Sequence, residues 1–252
     1  MRNGCHLVLL AGMLAAFPVL VCARSANPRT LLKGMPAANK GMPQQGILND
    51  VAGRRAREVS LHKAEAAGQK AALLREHLNT KDLQAAIVSF QESARLFKAG
   101  SAYDHAAGAN LQIGEIYFTL SQFDNAIESY REALRLDPKN PEISCRALSR
   151  MARTYATMGL SSEADIYSER ALKLSVGQSN QIQAEALEAR GEFLHNSGKV
   201  QESVELFDRA RALFVEANDA NGQAQTMLML AYAHFPTDRT TGIHLAREAL
   251  RL

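Results

Sequence analysis

The sequence predicts an all-α fold, a solenoid built from about five antiparallel helix pairs. From residue 50 to residue 252, apolar residues recur with helical spacing, and strand-like alternation is absent. This part also repeats itself, in segments that begin near Ala67, Ala107, Cys145, Ala184 and Ala224, at spacings of 40, 38, 39 and 40 residues. Such a period is typical of solenoids, in which each small unit buries its apolar face against its neighbours.

Composition and charge exclude several classes of protein. The chain has 252 residues, of which 46% are hydrophobic and 22% are charged, so bulk disorder is not expected. Residues 64–252 hold 20 basic and 24 acidic side chains, and the chain has no Trp. Neither a basic nucleic-acid-binding face nor an aromatic platform for single strands is therefore predicted.

The first 23 residues read as a secretory signal peptide. Arg2 precedes an apolar run from Leu7 to Val21, and small residues precede a cleavage point after Ala23. An uncleaved membrane anchor and a lipid-modified Cys22 are the alternatives. The run is short for a membrane span and is interrupted by glycine and proline, so export is the preferred interpretation.

Two segments are expected between the signal and the repeats. Residues 24–49 contain four basic residues, no acid and several Pro and Gly, which predicts a flexible basic linker. Asn49 and Asp50 offer a plausible N-cap for a lead helix over residues 50–66, followed by the repeat array over residues 67–252.

The second repeat has the clearest pattern. Counted from Ala107, it places Ile113, Gly114, Tyr117, Ala126, Tyr130, Ala133 and Pro138 at positions 7, 8, 11, 20, 24, 27 and 32. Ile113 and Tyr117 share one face of a first helix, and Ala126, Tyr130 and Ala133 share one face of a second. Small residues at 114, 126 and 133 allow the two helices to approach closely.

These residues resemble the tetratricopeptide repeat family, which has small residues at positions 8, 20 and 27 and an aromatic residue at 24. The resemblance covers residues 67–252 and implies a right-handed superhelix whose first helices line a concave groove for a protein or peptide partner. Gly242, Ala246 and Ala249 fit the fifth repeat only if its internal turn is one residue shorter. Arg190 occupies the usually apolar position 7, which puts the packing of the fourth repeat in doubt.

A narrower resemblance supplies the alternative function. The stretch from Leu74 to Leu136 is similar to repeat arrays that precede CHAT-type caspase-like protease domains in bacteria. On that interpretation, the array is the sensing part of a larger effector whose protease domain is missing here.

The resemblance also indicates which side chains face the groove. Position 9 is occupied by Arg75, Glu115, Arg153, Glu192 and Tyr232 in successive repeats, and Arg146, Arg150, Glu185 and Glu188 lie on the same helix faces. In one interpretation, Arg146 pairs with Glu185 and Arg153 pairs with Glu192. In the other, the arginines receive a carboxylate from an extended peptide, because guanidinium binds carboxylate through paired hydrogen bonds.

No constellation for catalysis, metal binding or cofactor binding is found in the sequence, so a non-enzymatic protein without a cofactor is expected. His77 and His234 occupy the tyrosine-like position 11 and are expected to pack. Cys145, the single cysteine beyond the signal, is expected to pack rather than to react. The last helix ends in apolar residues, which predicts that a missing continuation of the chain, a partner chain or a second copy covers them.

Overall fold

The computed structural model describes residues 44–76 and 79–252, with side chains from Gly53 onward. The predicted signal peptide, residues 24–43 of the predicted linker and His77 lie outside these residues. The described residues form ten helices and no strand: α1 (Gln44–Glu76), α2 (Thr80–Ala99), α3 (Tyr103–Thr119), α4 (Phe123–Leu136), α5 (Pro141–Thr157), α6 (Ser161–Ser175), α7 (Asn180–Asn196), α8 (Val200–Glu216), α9 (Ala220–His234) and α10 (Arg239–Ala249).

These helices form the predicted solenoid of helix pairs, and Leu48–Leu252 make up one compact unit. In the second to fifth pairs the two helices pack against each other, and each of the first helices α3, α5, α7 and α9 contacts the next one in the series. In the first pair, Ala64 and Ala71 of α1 are buried against α2. The first pair is joined by a hydrogen bond of 2.7 Å from Ser93 Oγ in α2 to the carbonyl of Ala64 in α1. Among the described helices, none has the length and apolar character needed to cross a membrane.

The beginning of the array differs from the expected boundaries. The predicted lead helix and the first helix of the first repeat form one continuous helix, α1, which begins at Gln44 within the predicted linker. Between Pro43 and Pro138 the sequence has no proline, and residues 56–72 are rich in alanine, so no residue there breaks the helix.

Capping side chains fix where three of the first helices begin. Asn140, Ser179 and Asp219 precede α5, α7 and α9, and each accepts hydrogen bonds from backbone N–H groups in the first turn. These three residues are 39 and 40 positions apart, so they repeat with the period of the array.

Small residues pack where the repeat pattern requires them. The side chains of Ala126, Ala133, Ala164, Ala171 and Ala210 are completely buried. They occupy positions 20 and 27 of the second, third and fourth repeats, where second helices pack against first helices. The repeat therefore predicts the core of the array correctly.

The fifth pair keeps the repeat spacing, but not through the shorter turn that the sequence predicted. Its internal connection is not shortened: residues 235–238 join α9 and α10, whereas three residues join the helices of the second, third and fourth pairs. Instead α9 ends early, at His234, because Pro236 has no N–H with which to continue the helix. Because α9 is shorter, Gly242 of α10 still lies at the helix–helix contact that requires a small residue. Its backbone is close to the carbonyl of Ala231.

Arg190 is accommodated without disturbing the fourth pair. Its guanidinium Nη1 reaches back from α7 to α6, donates to Ser168 Oγ at 3.1 Å and pairs with the Asp165 carboxylate. Its Cζ also lies 4.8 Å from the centre of the Phe193 ring. Ser168 stands at position 24, where the second and fourth repeats carry an aromatic residue, and the smaller side chain leaves space for the arginine.

Candidate functional site

The first helices of the five pairs contribute side chains to a single cleft of about 510 Å³. A repeat period close to 39 residues brings equivalent helix positions side by side, so residues far apart in sequence meet here. The cleft is lined by six of the nine residues that the sequence assigned to the groove: Arg75, Glu115, Arg150, Arg153, Glu185 and Glu188.

The charged side chains of this region largely pair with one another. Both expected ion pairs form: Arg146 Nε lies 3.4 Å from Glu185 Oε2, and Arg153 Nε lies 3.2 Å from Glu192 Oε1. Each of these pairs joins α5 to α7. The guanidinium groups of Arg146 and Arg153 are therefore already paired with carboxylates of the same chain.

A third ion pair was not predicted. Arg150 Nε lies 3.0 Å from Glu115 Oε1, which joins α5 to α3, and the same oxygen accepts a hydrogen bond of 3.2 Å from the hydroxyl of Tyr130. Arg75, at the α1 end of the cleft, donates to the side-chain oxygen of Gln112. Charged and polar contacts thus follow the cleft from α1 to α7.

Glu188 differs from the other cleft glutamates because no ion pair among the described residues includes it. Its side chain is 6% exposed, and its carboxyl contacts the hydroxyl of Thr226 in α9. Thr226 also donates to the carbonyl of Gly222 at 2.8 Å. Since a hydroxyl has one hydrogen, Thr226 can donate to only one of these two acceptors at a time, the Glu188 carboxyl or the Gly222 carbonyl.

Burial sets the protonation of the glutamates in this region. Desolvation raises the pKa of Glu188 from 4.5 to about 7, against smaller lowering effects of Thr226 and Arg153. Desolvation also raises the pKa values of Glu185 and Glu192, although nearby arginines oppose the change. The pKa of Arg153 is raised, mainly by Glu192, so this arginine stays charged.

Two polar atoms at the cleft lack hydrogen-bond partners among the described residues. Ser149 Oγ and Arg150 Nη1 are both buried atoms without a partner, and both residues line the cleft. Burying such groups unpaired costs roughly 1–3 kcal/mol each, and a bound ligand with hydrogen-bonding atoms would remove that cost.

Tyr232, Glu192 and Arg146 do not line the charged cleft. Tyr232 is 67% exposed, and its ring lies 5.0 Å from that of His195. Together with Glu192 it lines a second cavity of about 230 Å³, to which Phe118 also contributes. Arg153 lines both spaces, so its ion pair with Glu192 lies between the charged cleft and this more aromatic cavity.

Several residues that line the cleft were not predicted from the sequence. Gln112, Gln181 and Asp219 line it, and Asp219 accepts a hydrogen bond of 3.1 Å from the amide of Gln181. The periodic N-cap at Asp219 was a signal that could have located this end of the cleft. No sequence pattern marks Gln112 or Gln181 as a cleft residue, because neither occupies one of the predicted groove positions.

Elsewhere, Cys145 behaves as a packing residue. Its side chain is completely buried, and Sγ donates to the carbonyl of Ala171 at 3.4 Å. Burial raises the pKa of the thiol to about 11, so the reactive thiolate is scarce near neutral pH. His234 is half-buried in α9. The part of the chain that the structure describes holds no cluster of three or more metal-ligating side chains.

The last helix presents an apolar surface, as the sequence suggested. Leu250 is 85% exposed, and Ile243 and Leu252 are also exposed, whereas Ala249 packs into the array. Docking of a partner or of a second copy on this surface stays a prediction.

Comparison with known proteins agrees with the repeat pattern and the helix pairs. Residues 114–147 match the family model of the TPR repeat. The fold is similar to that of the nearly identical TPR-like repeats of a putative kinesin light chain from Podosopora anserina, with a TM-score of 0.51 at 15% identity. That match covers 75% of this chain and 95% of the other.

A second solved structure is also similar, the aspartyl phosphate phosphatase F of Bacillus subtilis. The TM-score is 0.58 at 15% identity, and the match covers 82% of this chain and 54% of the phosphatase. No curated protein matches the chain in sequence. At these identities, the structural similarities concern the fold alone.

The helix pairs therefore have the fold of a tetratricopeptide-repeat solenoid, and the match to the repeat itself runs from the middle of α3 to the start of α5. The narrower resemblance to arrays that precede CHAT-type proteases stays a prediction.

Proposed function

We propose that the protein is an interaction scaffold that binds an extended peptide segment of a partner protein in the charged cleft. The observation that supports this most directly is that all five first helices, or their caps, bring side chains to one continuous cleft. Ser149 Oγ and Arg150 Nη1 are left without partners there, and the carbonyl and amide groups of a peptide can satisfy both.

The polar character of the cleft favours a peptide over an apolar small molecule. Pockets for small ligands are mostly apolar, with few polar groups. This cleft instead has Arg75 at one end and Glu188 and Asp219 towards the other, with paired charges between them. An extended chain with polar side chains matches such a surface.

Affinity selection from a random library of acetylated and amidated nonapeptides tests the proposal. A tryptophan that fills the cleft, Gln225→Trp in α9, should reduce the yield of retained peptides by about tenfold or more. The matched variant Gln201→Trp replaces an exposed residue of α8 and should retain the same peptides as the wild type. Absence of enrichment over the bare support, or equal yields from both variants, would contradict peptide binding in the cleft.

We also propose that the protein is exported. The supporting observation is the signal-like sequence of residues 1–23, with cleavage after Ala23. The intact mass of the protein from the exported fraction of its host should correspond to residues 24–252. A protein that stays in the cytoplasm with residues 1–23 attached would contradict export, and a much larger mass would favour the effector-linked alternative.

A further inference from the structure

The floor of the cleft contains an unusual polar pair. Position 5 of the five repeats is occupied by Ala71, Leu111, Ser149, Glu188 and Leu228. Four of these side chains are mostly buried, and among them Ser149 and Glu188, at 3% and 6% exposure, interrupt an apolar row. They come from α5 and α7, which are neighbouring helices, and both line the cleft.

Neither polar group has the partner that its chemistry calls for. Ser149 Oγ has no nitrogen or oxygen hydrogen-bond partner among the described residues, although it interacts with the weakly polar thiol of Cys145, and Glu188 takes part in no ion pair there. Burying a carboxylate without a cation is costly, which is why the carboxyl of Glu188 holds its proton more tightly than an exposed glutamate does. A cation placed between the two oxygens would supply both missing interactions.

We propose that Ser149 and Glu188 form a subsite for the cationic end of a lysine or arginine side chain on the bound peptide. The inference rests on the proposed function, and it adds a chemical requirement for the ligand: a basic residue that enters the cleft between α5 and α7. Hydrogen bonds from a cation to a carboxylate are roughly twice as strong as neutral ones, so this contact contributes to selectivity as well as to affinity.

The charges that surround Glu188 are compatible with a bound cation. From α5 it faces Arg153, and along α7 it faces Glu192 and Glu185. These charges are balanced, because Glu192 pairs with Arg153 and Glu185 pairs with Arg146, and the cleft-lining Arg150 pairs with Glu115. From α9 it faces the neutral hydroxyl of Thr226. Asp219, which also lines the cleft, adds a further negative charge close enough to act on Glu185.

The subsite should bind cations in a pH-dependent manner. A cation needs the carboxylate form of Glu188, whose pKa is raised to about 7 by burial. Between pH 6 and pH 8 the ionised fraction rises from about a tenth to about nine tenths. Binding of a basic peptide should therefore strengthen by up to about tenfold over this interval.

Two peptide libraries of matched shape test the subsite. Both are acetylated, amidated nonapeptides with random flanks, one with lysine at the centre and the other with norleucine, which lacks the charge. At pH 8 the full-length protein should retain the lysine library at least about fivefold better. The variant Glu188→Gln, which keeps the side-chain shape and the bond to Thr226, should lose that preference, and Ser149→Ala should reduce it.

The control is Glu205→Gln, which removes an exposed carboxylate from α8 and should leave the preference unchanged. Equal retention of the two libraries by the wild type, or a lysine preference that survives Glu188→Gln, would overturn the subsite while leaving peptide binding intact. Failure of both libraries to bind would instead contradict the proposed function itself.

Discussion

Gly114 in α3 lies directly against the ring of Tyr130 in α4, so that a β-carbon at position 114 would overlap the ring. The fourth pair repeats the arrangement, because a β-carbon at Gly191 would lie 2.6 Å from Cε1 of Phe207. In both pairs, the residue without a side chain lets the aromatic ring reach the backbone of the first helix. This contact limits how closely the two helices can approach, and in the second pair the hydroxyl of Tyr130 also donates to Glu115, which lines the cleft.

Replacing Gly114 should destabilise the second pair. We expect Gly114→Leu to lower the free energy of unfolding by roughly 1–3 kcal/mol, because the larger side chain overpacks the contact with Tyr130. Gly108→Ala, in the same helix, is the control: nothing lies within 4 Å of the added carbon, and alanine favours the helix. Urea denaturation of both variants measures the difference, and equal stabilities would contradict the packing described here.

The contact between Arg190 and Ser168 should behave as a compensating pair. Arg190→Leu should cost roughly 1–3 kcal/mol, because it removes hydrogen bonds from a charged group to Ser168 and Asp165. Ser168→Tyr, alone, should also destabilise the protein by crowding the arginine. The double variant restores the usual residue types at both positions, so its loss of stability should be smaller than the sum of the single losses. Strict additivity would indicate that the two residues are independent.

The ion pair of Arg153 and Glu192 should matter for stability more than an exposed pair does. Removing the guanidinium with Arg153→Met leaves a carboxyl whose side chain is 15% exposed without its cation. We expect a loss of about 1–3 kcal/mol at pH 8, smaller than for a completely buried pair, because solvent still reaches part of both groups. The double variant Arg153→Met with Glu192→Leu should recover much of this loss, and failure to recover would argue against the pairing.

Glu188 should make the folded protein less stable as the pH rises. Its folded pKa of about 7 lies above the ordinary value of 4.5, so the folded state holds a proton that the unfolded state has already released. This contribution to stability is complete below pH 4.5 and is lost as the pH rises through 7. Between pH 5 and pH 8, the wild type should lose roughly 1–3 kcal/mol more than Glu188→Gln.

The comparison with Glu188→Gln isolates this residue. The raised pKa values of Glu185 and Glu192 act in the same direction, but they are present in both proteins. Urea denaturation at several pH values gives the two curves. Parallel curves for the wild type and the variant would show that the carboxyl of Glu188 is ionised in the folded protein at all these values.

The sequence was sufficient to predict the helix pairs and the two ion pairs that join α5 to α7. The repeat period places equivalent residues on neighbouring helices, so Arg146 and Arg153 could be matched with Glu185 and Glu192 by counting alone. The small residues of the core, such as Ala126, follow from the same counting.

The remaining features depend on contacts that the repeat does not specify. Arg190 fits because Ser168 is small, which is a relationship between two different repeats. The early end of α9 is a local effect of Pro236. Glu188 was among the predicted groove residues. Its lack of an ion pair was not predictable, because it depends on which glutamate each arginine of α5 contacts in the folded protein.

Photo-crosslinking tests the central claim, that a peptide binds in the cleft of the first helices. A benzophenone amino acid replaces Asn221, which is exposed at the start of α9 and lines the cleft, or Asn125, which is exposed on α4. With a fluorescent peptide recovered from the random library, we expect cross-linking from position 221 and none above background from position 125. Labelling from position 125 alone, or equally from both positions, would contradict binding in the cleft.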